Sequence, residues 1–229
     1  PWFWMLTATA GMTGVMQKAE KTETECRRYC IMMVIGVTGG IGAGKSELLS
    51  YINEHYRCHI ILADDVANRV KEKGTACYDA IVDLLGDSVL QPDGEINRNK
   101  MAARIFADKK LLTKVNDILH PAVNTFIRDA IEEEKEKGVN DFLFIEAALL
   151  IESGYEHIVN RMWYIYASEE VRRQRLKAGR GYSDEKITRI FEKQLSDEQF
   201  RIHSDIVIDN SGSLSDAYLQ IDRELEEYI

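Results

Sequence analysis

The chain has 229 residues, 45% of them apolar and 29% charged, with a formal net charge of -9. That length suits one α/β domain with a small lid or insertion. The acidic balance argues against broad binding to nucleic acid or to membrane surfaces, both of which favour basic proteins.

The four cysteines, at positions 26, 30, 58 and 77, fall into no metal-type or disulfide-type spacing and fit a reducing, cytoplasmic setting. Cys58 begins an apolar run and reads as core. Residues 1–31 differ in character from the rest of the chain. Pro1 to Met16 is apolar and aromatic, but it has no basic stretch before it and is too short to span a membrane. A signal peptide is the alternative reading of this stretch. The segment is expected to be an upstream extension, mostly disordered, and the domain to run over 32–229.

Met33 to Val37 reads as a buried strand. A glycine-rich turn comes next, and Ser46 to Tyr56 has the apolar spacing of a helix, with Leu48, Leu49, Ile52 and Tyr56 on one face. Gly39, Gly44, Lys45 and Ser46 fit the phosphate-loop pattern G-x-x-x-x-G-K-[ST] in its strand–loop–helix context. Glycines let the backbone close on a polyphosphate without a Cβ in the way, and the helix start adds free N–H groups and the positive end of a dipole. Gly39, Gly40, Ile41, Gly42, Ala43, Gly44, Lys45, Ser46 and Glu47 therefore form a candidate nucleoside triphosphate site. Lys45 is expected at the β- and γ-phosphates and the Ser46 hydroxyl on Mg²⁺.

Cys58 to Ala63 is a second strand ending at Asp64-Asp65. Ligands of parallel sheets sit beyond the carboxyl ends of the strands. One of the two acids is thus expected at the active edge and the other as N-cap of a helix over 66–73. Residues 75–86 form an amphipathic helix closed by Gly86, 91–94 a turn, and 97–106 and 110–137 helices, the longer one split near Pro121. Such a break would aim His120, otherwise a structural residue, at a ligand. Asp141 to Ile145 is a third strand ending at Glu146, either a strand-end acid that holds Mg²⁺ through water or a turn cap. Arg161 to Ala167 is a fourth. Ser168 caps an arginine-rich helix, Ser183 starts another, Asp205 to Ile208 is a fifth strand, and a last helix begins near Leu214.

Five apolar strands alternating with helices predict an α/β fold, with a parallel sheet covered on both faces. With the loop, this is a three-layer P-loop NTPase architecture. Residues 75–137, helical and without a strand, are expected to be a substrate-covering insertion. Arg172, Arg173, Arg175 and Arg180 cluster in an otherwise acidic chain. They read as a lid over about 172–183 that supplies charge to a transferring phosphoryl group, with Arg175 and Arg180 its strongest members. The alternative is a solvated helix paired with Glu169 and Glu170. No guanine-reading Asn-Lys-x-Asp motif occurs.

GVTGGIGAGKS at 36–46, ADDVA at 63–67, DGEINR at 93–98, LHP at 119–121, LLIE at 149–152, Gln194 and DNSG at 209–212 occur together in this order. In this the chain resembles the dephospho-coenzyme A kinases from about residue 33 to its end. The resemblance implies transfer of the γ-phosphoryl of ATP to the ribose 3′-hydroxyl of dephospho-coenzyme A, with ATP and Mg²⁺ as cofactors. It implies Asp64, Lys45 and Arg175 as catalytic residues, with Asp64, Arg98 and His120 at the acceptor. Ser46 and Glu146 would hold the metal, and Arg180 would join the loop at the nucleotide.

The chain departs from the family pattern in places. The first acid of the usual Asp-Ala-Asp is Leu62, Glu47 stands where Thr is usual, and Ala148 replaces a proline. Gly179 stands where the family often has arginine, which displaces that cation to Arg180. The expected protein is a cytoplasmic monomer or weak homo-oligomer acting on a small molecule. The rival readings are another small-molecule or nucleotide kinase of this architecture and a non-catalytic nucleotide-binding switch.

Overall fold

The computed structural model describes residues 32–147, 150–151 and 154–229. The extension at 1–31, and within the 148–153 stretch Ala148, Leu149, Glu152 and Ser153, lie outside the described residues.

Strands β1 (Met33–Thr38), β2 (Cys58–Leu62), β3 (Phe142–Glu146), β4 (Arg161–Tyr166) and β5 (Ile206–Asp209) form one sheet in the order β2-β3-β1-β4-β5. Every neighbouring pair is parallel. Their near-continuous apolar sequences reflect burial on both faces. Alternate residues divide between two cores. Ile35, Val37, Phe142 and Phe144 pack with Leu48, Ile52, Ile221 and Leu225 on one side. Val34, Leu143 and Ile145 pack with Ile81, Ile127 and Ile131 on the other.

The helices are α1 (Lys45–His55), α2 (Ala63–Arg69), α3 (Ala76–Leu85), α4 (Arg98–Ala107), α5 (Lys109–Lys137), α6 (Glu169–Arg180), α7 (Asp184–Phe191), α8 (Asp197–Ile202) and α9 (Leu214–Glu226). Among the described residues none is long and apolar enough to cross a membrane. Side chains of Thr75, Asn97, Ser168, Ser183, Ser196 and Ser213 each accept a hydrogen bond from the first turn of the helix they precede, satisfying donors that the helix leaves unpaired.

The structure corrects three sequence expectations. Asp65 is no N-cap: α2 starts at Ala63 directly from the last residue of β2, so Asp64 and Asp65 both fall in its first turn. The helix over 110–137 is not split. α5 continues through Pro121, whose ring removes only the bond to the Asp117 carbonyl, on a stretch where Asp117 and Pro121 are both exposed to water. A helix over Asp197–Ile202 appears where none was expected, held by a capping box in which Ser196 and Gln199 exchange bonds. Residues 75–137 are helical as expected, and α3 and α5 supply the apolar cover of one sheet face.

The register sets up the site. Glu146 at the end of β3 stands opposite Val37 of β1 and Leu62 of β2. Three strands therefore end level, and the loop after β1, the start of α2 and Glu146 emerge at one edge.

Candidate active site

The loop between β1 and α1 turns on glycines that other residues would strain. Gly44, the N-cap of α1, is left-handed at φ 92, and a Cβ there would collide with the Asn210 amide. Gly42 is also positive, at φ 82. A Cβ on Gly40 would run into the Arg172 guanidinium.

Lys45 curls back across the loop. Its Nζ donates to Gly39 O at 2.8 Å and lies 3.4 Å from Glu146 Oε1. Burial lowers its pKa, Glu146 works against that shift, the nearby Arg172 adds to it, and Asp64 opposes it more weakly. The ammonium is thus partly desolvated, with carboxylates on one side and the loop on the other.

The back of the loop is braced by α6 and by the residue after β5. Arg172 Nε donates to Ile41 O at 2.9 Å and its Nη2 to Gln194 Oε1 at 2.6 Å, with the guanidinium 4.1 Å above the Phe191 ring. Gln194 Oε1 also accepts from Ile41 N at 3.3 Å. Arg175 donates to Ala43 O at 3.2 Å and to Asn210 O at 2.9 Å. The fully buried Asn210 donates its Nδ2 to Ala43 O at 2.8 Å. Arg173 turns the other way, to Glu169 at 2.8 Å, Asp184 at 3.6 Å and Thr188 at 3.0 Å. The arginine cluster therefore divides: Arg172 and Arg175 face the loop, and Arg173 makes the surface pairs of a solvated helix.

A cavity of about 690 Å³ opens in front of the loop. All of Gly39 to Glu47 line it, together with Asp64, Glu146, Arg175, Arg180 and Gln194. Asp65 instead lines a separate cavity beside β2, with His59 and Arg69. One position along α2 thus separates the two carboxylates. Arg98 and His120 are exposed, on α4 and α5, outside the cavity lining. Cys58 is half-buried, and burial pushes its thiol up to about 11, a poor nucleophile.

Sequence reasoning assigns no role to Gln194 or Asn210 and leaves Arg172 undecided. Gln194 and Asn210 enter the sequence reading only as members of the motifs that carry the resemblance, Asn210 within DNSG at 209–212, and those motifs give neither residue a place at the loop.

This arrangement can hold a polyphosphate on backbone amides and the helix dipole. It sets a cation against that group and two carboxylates across from it, and so offers the parts of phosphoryl transfer to an oxygen nucleophile. A bound Mg²⁺ takes a few hard oxygen ligands and shares substrate phosphates. The Ser46 hydroxyl and the Asp64 and Glu146 carboxylates, all lining one cavity, are donors of that kind.

A family model described as dephospho-CoA kinase matches residues 33–216. The chain is 35% identical over 192 residues to a dephospho-CoA kinase of Carboxydothermus hydrogenoformans, covering 83% of this chain and 92% of the relative. It is 35% identical over 194 residues to one of Corynebacterium diphtheriae, covering 85% and 96%. A crystal structure of a Thermus thermophilus protein superposes with a TM-score of 0.71 at 27% identity, over 86% of this chain and 97% of that one. A dephospho-CoA kinase from Campylobacter jejuni shares the fold, with a TM-score of 0.66 at 21% identity over 86% and 97%.

Proposed function

The chain belongs to the dephospho-CoA kinase family, and from that premise we propose that it moves the γ-phosphoryl group of ATP to the ribose 3′-hydroxyl of dephospho-coenzyme A. The observation that carries the reading is the single cavity that joins the loop amides, Lys45 and Ser46 to Asp64 and Glu146.

In this reading the amides of Gly40 to Ser46 hold the β-phosphate, and Lys45 offsets charge on the β- and γ-phosphates. Asp64 accepts a hydrogen bond from the attacking hydroxyl, orients it and takes up its proton as the new P–O bond forms and the bond from the γ-phosphorus to the leaving ADP oxygen breaks. Arg175 and Arg180 border the transferring group, where fixed positive charge stabilises the transition state. Ser46 and Glu146 would hold Mg²⁺, which when bound supplies charge neutralisation between the phosphates. Residues 75–137, with Arg98 and His120, cover the acceptor, and about 172–183 serve as the lid. We read the protein as cytoplasmic and as a monomer or weak homo-oligomer.

Coupled ADP release, measured with dephospho-coenzyme A, adenosine, nucleoside monophosphates and shikimate as acceptors, tests the reading. Turnover with dephospho-coenzyme A well above the others is expected. Preference for any other acceptor would move the chain to another small-molecule kinase activity.

A further inference from the structure

Gln194 stands on the cavity wall with half of its amide in use. It lies in the turn between α7 and α8, which is held by main-chain bonds from Lys193 N to Ile190 O and from Gln194 N to Phe191 O, both at 3.1 Å. Its Oε1 accepts from Arg172 Nη2 at 2.6 Å and from Ile41 N at 3.3 Å. Arg172 is itself fixed, with Nε bonded to Ile41 O at 2.9 Å and the guanidinium 4.1 Å from the centre of the Phe191 ring.

Both groups that face Oε1 are donors. Turning the amide over would set its NH₂ against two N–H groups, so the hydrogen-bond network permits one orientation. That orientation leaves the two Nε2 N–H donors directed elsewhere. Among the described residues Nε2 makes no hydrogen bond to the protein. Nor is it sealed in, because the buried side-chain atoms without a partner belong to Thr38, Asn124, Ser204 and Asn210. Gln194 lines the same cavity as Lys45, Asp64 and Arg175, so an oriented and unused donor pair stands at its wall.

Its place along the cavity follows from Lys45. Loop amides next to the helix start cradle the α- and β-phosphates, and the lysine reaches on to the β- and γ-phosphates. Here Lys45 Nζ points back to Gly39 O at 2.8 Å, which puts the γ-phosphoryl side at the first residues of the loop. Ile41 is one of them, and Gln194 is bonded to it.

We propose that Gln194 is a further catalytic residue, whose Nε2 donates to a γ-phosphoryl oxygen and stabilises the charge that develops there during transfer. The proposal rests on the chain being a phosphoryl-transfer enzyme. A donor oriented before the substrate arrives needs no reorganisation as the reaction proceeds. The guanidinium bonded to Oε1 polarises the amide and strengthens Nε2 as a donor. If the Ile41 N–H turns to a phosphate, the shorter Arg172 bond still keeps the amide in place.

The test uses the full chain and its Gln194→Glu and Gln194→Met variants. Glutamate keeps the shape and the acceptor that Arg172 and Ile41 meet, and removes the donors. Methionine keeps the length and removes the donors without adding charge. Turnover with dephospho-coenzyme A is expected to fall about 10²-fold in Gln194→Glu and about tenfold in Gln194→Met. A non-hydrolysable ATP analogue should bind about tenfold more weakly to Gln194→Glu. ADP, which has no γ-phosphoryl group, should bind both variants within about twofold of the parent. The melting temperature of Gln194→Glu should equal or exceed that of the parent, since a carboxylate accepts the Arg172 bond at least as well.

Parent-like turnover in Gln194→Glu would overturn the proposal, because that variant preserves the bracing contacts. Equal losses of ADP and analogue affinity would overturn it too, as the mark of a distorted loop. So would a slow Gln194→Glu beside a Gln194→Met as fast as the parent, the mark of added charge alone. A parent that prefers another acceptor would overturn the acceptor reading instead, and the same comparison made with that acceptor then judges Gln194. For a parent that turns over none of the acceptors, binding decides. Selective loss of the analogue in Gln194→Glu supports the role, and unchanged or equally weakened binding of both nucleotides refutes it.

Discussion

Lys45 Nζ stands 3.4 Å from Glu146 Oε1, a contact made across the strand register that sets β3 beside β1. Burial pulls the pKa of this lysine down and Glu146 is the largest influence holding it up. Glu146→Gln should therefore lower it further. A lysine deprotonating at lower pH stops attracting phosphate at lower pH. The alkaline limb of ATP affinity, measured without divalent cation, should move toward neutrality in the variant. An unmoved limb would show that the two groups are not coupled.

Asp64→Asn keeps the size of the side chain and removes its charge. It should cut turnover with dephospho-coenzyme A by about 10²- to 10⁴-fold, the usual worth of general acid–base assistance, with ATP affinity nearly intact. Asp65→Asn is the paired control, since Asp65 lines the cavity beside β2, and should leave turnover close to that of the parent. Loss of turnover in Asp65→Asn alone would place the acceptor on the other side of α2.

The arginines should separate by direction. Arg175 bonds two main-chain carbonyls, of Ala43 and Asn210, from a half-buried position. Charge-assisted bonds of this type contribute about 1.5–3 kcal/mol. Arg175→Ala should lower both the melting temperature and turnover, the latter by about 10²-fold if the residue also steadies the transferring charge. Arg173→Ala breaks surface pairs worth about 0–1 kcal/mol and should change neither much. Equal effects at the two positions, in thermal melts and kinetics, would contradict the division of the cluster.

Between α1 and α9, Tyr51 donates to Asp222 at 2.8 Å and stacks on Tyr218 with ring centroids 3.9 Å apart. Burial, with the bond to Asp222 second, pushes the Tyr51 pKa up to about 12 from an ordinary 10. The folded chain then binds more protons than the unfolded chain between those values, so stability falls as pH rises through that window. Tyr51→Phe should cost about 1 kcal/mol at neutral pH and show a shallower alkaline decline. Denaturant midpoints at pH 8 and pH 11 measure both. An unchanged alkaline slope would place the loss elsewhere, with Tyr56, which donates to the same Asp222 at 2.6 Å, the next residue to examine.

The strands and the loop are legible in the sequence because their signals are local: short apolar runs, and glycines at fixed spacing before Lys45-Ser46. The braces are not. Arg172 and Ile41 lie 131 positions apart, and Asn210 and Ala43 lie 167 apart. No periodicity within one segment carries such a pairing. Asp65 misleads because capping residues and first-turn acids look alike in sequence, and the choice depends on where β2 stops. Pro121 signals a break by its chemistry alone, yet one lost bond at an exposed position does not end a helix of 29 residues.

β2 ends at Leu62 and α2 begins at Ala63, so no flexible linker intervenes between them. The direction of Asp64 is fixed by strand pairing and not by a loop that can relax. One residue inserted after Leu62 would turn the helix by about 100° and carry Asp64 off its cavity while leaving every side chain chemically intact. The same insertion in the turn at 91–95 would be absorbed. In this protein, then, the seam between a strand and a helix is less tolerant of a change in length than many of its side chains are of a change in identity.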